Sequence, residues 1–173
     1  VTLEKNTAGK NFQQLLDAID AIDDLKIIFT KTLADTDGRI INEMIDDYVA
    51  ANGHKAIAFT SMGQLRYISA LEYVDVVAGN SSSGVIETPS FKVPTLNIGK
   101  REEGRIMADN VICVEQDTDA IKSAFMVALS SEFKESLSDM TNPYEKAGTS
   151  TNIAEILEKY QLTGSTMKDF YDL

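Results

Sequence analysis

The stretch that decides the reading of this chain is Val76-Val77-Ala78-Gly79-Asn80-Ser81-Ser82-Ser83-Gly84-Val85-Ile86-Glu87. An apolar, β-branched run stops at a glycine, small polar residues follow, and a helical pattern begins at about Ser82. A strand that passes into a helix through such a turn is the repeating step of an α/β fold. The turn also suits a ligand. Its glycines and serines let the backbone approach closely, and the first N–H groups of a helix are unpaired at a dipole end that favours phosphate. Asn80, Ser81, Ser82, Ser83 and Gly84 are therefore candidate substrate-binding residues, with the hydroxyls of Ser81 and Ser82 as added donors. Glu87 lies about one and a half turns along the helix. From there a carboxylate can accept from both hydroxyls of a ribose while the phosphates sit at the helix tip. The run also fits a flexible serine-rich turn followed by an ordinary helix.

On both sides of this stretch, strand-like and helical patterns alternate. Strand-like runs are Lys26–Thr30, Lys55–Phe59, Val74–Ala78, Pro94–Ile98 and Val111–Val114. Phe12, Leu15, Leu16, Ile19 and Ile22 recur at helical spacing, with Thr7 or Asn6 as cap. Ile40, Ile41, Met44, Ile45 and Tyr48 do the same after the turn Asp35-Thr36-Asp37-Gly38. Leu65, Ile68, Ser69, Leu71 and Glu72 make a shorter amphipathic piece. Ile121, Phe125, Val127 and Leu129 follow Asp117-Thr118-Asp119, and a last helix covers about Asn152 to Tyr160. The alternation predicts an α/β fold with a Rossmann-like, doubly wound parallel sheet, whose ligands bind outside the carboxyl ends of the strands. One domain is expected over residues 1–162, with a tail over 163–173.

Composition narrows the function. The 173 residues fit one domain, and 43% hydrophobic with 25% charged is ordinary for a soluble protein. A net charge of −11 argues against a nucleic-acid partner. An anionic ligand needs a local device to overcome that field. No apolar run is long enough to span a bilayer, and Val1-Thr2-Leu3-Glu4-Lys5 lacks the features of a signal peptide. The single Cys113 suits a reducing cytoplasm. His54 and Cys113 are too few for a zinc site, and His54 reads as part of a turn entering a strand rather than a base. The turn at Asp35 lacks the acidic positions of a calcium loop. The serine stretch has neither Gly-x-Ser-x-Gly, nor a phosphate-loop Gly-Lys-Ser/Thr, nor Gly-x-Gly-x-x-Gly.

Two neighbouring segments belong to the same sheet edge. Pro94 to Gly99 is a strand ending at a glycine, followed by Lys100-Arg101-Glu102-Glu103-Gly104-Arg105. Arg101 and Arg105 can neutralise a pyrophosphate, or they can pair with Glu102, Glu103 or Asp109. Upstream, the backbone turn at Met62 can read a base edge, and Tyr67 can stack on the base or lie in the core.

Gly79 to Arg105 resembles the hydrolysing UDP-N-acetylglucosamine 2-epimerases, and the likeness extends from Val1-Thr2-Leu3-Glu4 through Asp37-Gly38-Arg39 and Gly63-Gln64-Leu65 to Asn110-Val111. The non-hydrolysing branch carries Ser-Gly-Gly and a double Glu in the serine loop, which favours the hydrolysing branch. The resemblance implies one half of a glycosyltransferase-B-like enzyme, two Rossmann-like domains with UDP in the cleft between them. Ser81 and Ser82 would hold the phosphates, Glu87 the ribose hydroxyls, the Met62 backbone and Tyr67 the uracil, and Arg101 would lie near the pyrophosphate. The family eliminates UDP across C1–C2 of the sugar and hydrates the glucal-like intermediate to N-acetylmannosamine, a product that commonly feeds sialic acid synthesis. No cofactor, metal or nicotinamide is implied. The family's acidic residues lie in an N-terminal domain, and a histidine and a central strand lie just before the position of Val1. The chain is therefore expected to be the C-terminal half of its parent, with no catalytic residue of its own and no turnover alone. Its partners would be the N-terminal domain and, in some assemblies, a second copy. Two other readings are a nucleotide-sugar glycosyltransferase of the same fold, which needs an acceptor, and a non-catalytic module that binds a UDP-sugar.

Overall fold

The computed structural model describes residues 7–32 and 36–161, and each strand-like run holds a strand. These are β1 (Ile27–Thr30), β2 (Ala56–Phe59), β3 (Val77–Gly79), β4 (Thr95–Ile98) and β5 (Val111–Val114), and every pairing is parallel. Between and after them lie α1 (Ala8–Asp20), α2 (Thr36–Ala51), α3 (Gly63–Ala70), α4 (Ser83–Ile86), α5 (Thr118–Leu129), α6 (Ser131–Ser136) and α7 (Thr149–Lys159), with a 3-10 turn over Thr88–Phe91. β3 starts later than its apolar run because the end of α3 unwinds through Val74, whose N–H still donates to Ala70 O at 3.2 Å.

The sheet is doubly wound in its order but broken in two. β1 pairs only with β2, and β4 lies between β3 and β5. Chain order runs outward from the break on both sides, as it does from the switch point of a doubly wound sheet. No strand among the described residues fills the central position between β1 and β3.

What joins the halves is α1. It packs on α2, which lies against β2, and on α5, which lies across β4 and β5. The Thr118 N–H and hydroxyl both donate to Gln14 Oε1, at 3.1 and 2.7 Å, fastening the start of α5 to α1. Strand side chains alternate between faces, and one set joins a single core. Phe29, Ala56, Leu96 and Ile98 are buried there with Leu16 and Ile19 of α1, Ile41, Ile45 and Tyr48 of α2, and Ile121 and Phe125 of α5. Each large aliphatic side chain buried this fully contributes roughly 1.5–3 kcal/mol. The opposite face is covered unevenly. α4 packs on β3 and β4, whereas Ile28 and Ile57, paired across β1 and β2, are 48% and 49% exposed.

Capping follows the residue chemistry in part. Asp117 caps α5, its Oδ1 accepting from Ala120 N–H at 3.0 Å. Thr7 stands at the cap of α1, but its hydroxyl accepts from the Asn11 side chain at 3.2 Å instead of from a backbone amide. Asn6, the alternative cap of α1, lies outside the described residues, and α2 begins at Thr36, inside the turn that precedes its apolar stripe. At the far end of α1, Asp20 accepts from Tyr48 Oη at 2.6 Å and from Lys55 Nζ at 2.8 Å. Lys55 also sits 5.5 Å over the Tyr48 ring. The hydrogen bond from Lys55, then that from Tyr48, holds the Asp20 carboxyl below the usual carboxylate range.

α3 departs from its amphipathic reading: none of its residues is buried, and Leu65 is 82% exposed. Two turns are too short to seat a full apolar stripe, and the buried anchor is Leu71, just past the helix. The chain divides into two compact units, Val1–Pro143 and Tyr144–Leu173. In the second unit α7 has no buried residue, and Ile153, Ile156, Leu157 and Tyr160 are exposed. The expected tail over 163–173 lies outside the described residues. Among those described, no helix is long and apolar enough to cross a membrane.

Candidate functional site

The serine loop leaves the carboxyl end of β3, and the arginine loop leaves the carboxyl end of β4 beside it. The register pairs Gly79 with Asn97, so both loops emerge at one edge of the three-stranded sheet. His54 lies exposed in the turn that enters β2, at the opposite end of the strands.

α4 is a single turn that continues as the 3-10 turn, which changes the expected anion device. A dipole sums over aligned peptides, and four residues contribute little of it. The amides inside the turn are already bonded. Gly84 N–H donates to Ser81 O at 3.0 Å, Val85 and Ile86 N–H donate to Ser82 O at 3.0 and 2.9 Å, and Ser83 N–H reaches Ser81 Oγ at 3.4 Å. The N–H groups of Asn80, Ser81 and Ser82 have no partner among the described residues. A phosphate would therefore meet a short row of backbone amides and the hydroxyls of Ser81 and Ser82 rather than a helix tip. Gly84 itself is buried, and it serves packing: a Cβ there would stand 2.9 Å from Thr95 Cγ2.

Beneath α4 lies a polar network that residue patterns did not disclose. Thr88 Oγ1 donates to Gly84 O at 2.8 Å, Thr95 Oγ1 donates to Thr88 Oγ1 at 2.8 Å, and Asn110 Nδ2 donates to Val93 O at 2.7 Å and to Thr88 Oγ1 at 3.1 Å. All three residues are buried. From the other side, Asn142 Nδ2 donates to Ile86 O at 2.9 Å. The turn that carries Glu87 is thus held at both ends by side chains. Thr88, Thr95 and Asn110 follow no period in the sequence, so only the folded chain reveals them as a unit.

Glu87 closes α4 and is half-buried. Its Oε2 is buried and accepts no hydrogen bond among the described residues. Tyr67 comes to the same place, but by its hydroxyl, which forms a hydrogen bond with Ser83 Oγ. Burial, and to a lesser degree the nearby Glu87 charge, raises the Tyr67 pKa above the ordinary tyrosine value, against a lowering from the Ser83 bond. Met62 is half-buried at the carboxyl end of β2, where Gly63 turns with φ +68° and donates its N–H to Ser61 Oγ at 3.1 Å. Asn80 is half-buried at the end of β3.

In the arginine loop, Arg101 and Arg105 are half-exposed around Glu102, which is only 2% exposed. Arg105 Nε lies 2.7 Å from Glu102 Oε2, and Arg101 Nε lies 3.7 Å from Oε1. Of the pairings open to these arginines, the structure selects Glu102 over Glu103 and Asp109. Glu102 is the site-edge residue that a reading of charge alone passes over, because nothing in Lys-Arg-Glu-Glu-Gly-Arg says which carboxylate turns inward.

With this geometry in view, known proteins give a consistent picture. The profile described as UDP-N-acetylglucosamine 2-epimerase matches residues 1–158. A hydrolysing GDP/UDP-N,N'-diacetylbacillosamine 2-epimerase of Campylobacter jejuni is 37% identical over 135 residues, covering 78% of this chain and 35% of that protein. Polysialic acid biosynthesis protein P7 of Escherichia coli is 30% identical over 174 residues, covering 99% of this chain and 44% of that protein. Among solved structures, the Methanocaldococcus jannaschii UDP-GlcNAc 2-epimerase in complex with UDP-GlcNAc and UDP superposes with TM-score 0.68 at 19% identity, over 88% of this chain and 41% of that one. The chain therefore spans less than half the length of these relatives, and its parallel α/β fold is that of one part of a glycosyltransferase-B-like enzyme. The chain belongs to the UDP-N-acetylglucosamine 2-epimerase family.

Proposed function

We propose that this chain is the UDP-binding half of a hydrolysing UDP-N-acetylglucosamine 2-epimerase. The observation that carries the reading is the Glu87 carboxylate, with one buried oxygen lacking a donor, one helical turn from a loop whose N–H groups lack acceptors. An unmet buried carboxylate oxygen is destabilising by itself, and the two ribose hydroxyls are donors that would satisfy it. The phosphates then fall on the amides of Asn80, Ser81 and Ser82, with Arg101 and Arg105 approaching from the neighbouring loop.

In the reaction so read, the bond from C1 to the β-phosphate oxygen breaks as the proton leaves C2. Water then gives its hydroxyl to C1 and a proton to C2 on the other face, yielding N-acetylmannosamine and UDP. The residues of this chain bind the nucleotide and stabilise the negative charge that grows on the departing β-phosphate. The proton transfers at C2 fall to groups outside it, so turnover by these 173 residues alone would overturn the proposal. The Campylobacter jejuni relative supports a second reading of the sugar, in which the substrate carries a further acetamido group. Product analysis of the intact enzyme with UDP-N-acetylglucosamine and with UDP-N,N'-diacetylbacillosamine separates the two. Transfer to an added acceptor would instead mark a glycosyltransferase.

The direct test is calorimetric titration of the intact enzyme with UDP, with ADP as control. Glu87→Ala should weaken UDP roughly ten- to hundredfold, the effect of hydrogen bonds to a charged group. A folded enzyme that ignores UDP, or a Glu87→Ala variant that binds it like wild type, rejects the assignment.

A further inference from the structure

We propose that Glu102 is a positioning residue that holds the guanidinium groups of Arg101 and Arg105 by their Nε edges and keeps their Nη ends available as a two-point receptor for a diphosphate. The proposal rests on the UDP reading and adds to it a residue that makes no ligand contact of its own. Loop carboxylates ordinarily face water. Glu102 instead lies 2% exposed, and burying a charge this far is expensive unless partners compensate it. Its partners are the two flanking arginines, each half in solvent, and each makes its closest approach through Nε.

A purely structural Arg–carboxylate pair closes as a fork, two parallel N–H···O bonds from one guanidinium. This one does not close. Although Arg105 Nε is 2.7 Å from Oε2, its N–H is not directed there, and Oε2 is left without a hydrogen bond. Neither guanidinium donates a hydrogen bond to any described residue. Two positive charges thus face one buried negative charge, a local surplus in a chain whose net charge is −11.

The backbone fixes where that surplus sits. Gly99 turns out of β4 with φ +80°, and Gln116 Nε2 would be 2.5 Å from any Cβ, so the loop leaves the strand sharply at this point. β4 adjoins β3, whose own end carries the unpaired amides of the serine loop. An anion with two phosphoryl groups can reach both loops. Glu102 limits the swing of the arginines that would meet it, which reduces the ordering cost on binding.

The test uses the intact enzyme and Glu102→Gln, which keeps shape and removes charge. Two probes are titrated, UDP and inorganic diphosphate, and the arginine Nε–H resonances are followed without ligand. The expected result is a shift of the Arg101 and Arg105 Nε–H resonances, whose neighbouring charge is removed, and roughly tenfold weaker binding of both probes. KM should rise and kcat should fall with it, since the same arginines meet the charge growing on the departing β-phosphate, and Arg105→Gln should weaken binding less in the Glu102→Gln background than in wild type. Unchanged Nε–H resonances overturn the proposal, as do shifted resonances with unchanged affinity, which would make the pairing structural only. Wild type that binds diphosphate in a Glu102-dependent way but ignores UDP would overturn the nucleotide reading and leave the role of Glu102 standing. If Glu102→Gln does not fold, Glu102→Asp, a carboxylate drawn back by one methylene, is judged on the same readouts.

Discussion

The hydroxyls of Tyr67 and Ser83 share one hydrogen bond, and only one of them can donate to it. Burial keeps Tyr67 protonated well past neutrality. If Tyr67 is the donor, the Ser83 proton remains for a ligand oxygen beside the amides of Ser81 and Ser82. Tyr67→Phe keeps the ring and removes that arrangement. It should weaken UDP binding about two- to tenfold, the range for one hydrogen bond, without lowering the melting temperature; calorimetry and a thermal melt on the same sample check both halves. A stacking role alone would leave the affinity unchanged. Asp20 supports a different kind of prediction. Its pKa is lowered in the folded state, so its bonds to Lys55 and Tyr48 stabilise the fold above the unfolded carboxylate pKa of about 3.9 and are lost as pH falls through the folded value. Asp20→Asn should therefore unfold more readily than wild type at pH 7 and converge with it near pH 2. The gap should be no more than about 1 kcal/mol, because the pair is solvent-screened. Urea titrations at the two pH values would show it, and a gap that widens in acid would reverse the assignment.

At the scale of elements, the seat of α4 depends on Gly84. Its missing side chain lets the turn approach β4, and Thr95 cannot rotate its methyl away without breaking the bond from its hydroxyl to Thr88. Gly84→Ala should destabilise the fold by about 1–3 kcal/mol. Adding Thr95→Ser, which removes Cγ2 and keeps Oγ1, should recover much of the loss; the urea midpoints of the single and double variants decide. The same contacts show how far residue patterns reach. β-branched runs located every strand because a parallel sheet needs apolar side chains on the face that joins the core, as Phe29, Ala56 and Leu96 do. The passage from strand to helical turn between Gly79 and Ser83 was equally legible, since small residues at such a junction have few other uses. The length of α4 was not. Its amides choose between Ser81 and Ser82 carbonyls and a longer helix only once Thr88 and Asn142 take hold of its far end. Nor was the inward turn of Glu102, which depends on the bend at Gly99 and on arginines placed by the folded loop.

For the whole molecule, the break between β1 and β3 leaves two parallel edges without a strand partner. The N–H groups of Ile27 and Lys31 donate to carbonyls beside β2, so by alternation those of Ile28 and Thr30 point to the open side. Likewise Val77 N–H donates to Pro94 O, which turns Ala78 N–H outward. Hydrogen exchange on this chain should find Ile28, Thr30 and Ala78 fast while Phe29, Leu96 and Ile98 are slow. Protection of all six would mean that another strand occupies the break. Because no ladder crosses it, the halves meet through α1 and α5, and the bond that fastens them joins Gln14 to Thr118, residues separated by 104 positions. Each half-sheet can assemble from nearby chain, whereas this contact must close a loop of 104 positions. Loop closure of that length is entropically unfavourable until both ends have something to hold. The expected order of folding follows: two small parallel sheets form first and the first helix meets the fifth late, so Gln14→Ala should speed unfolding while leaving the folding rate nearly unchanged.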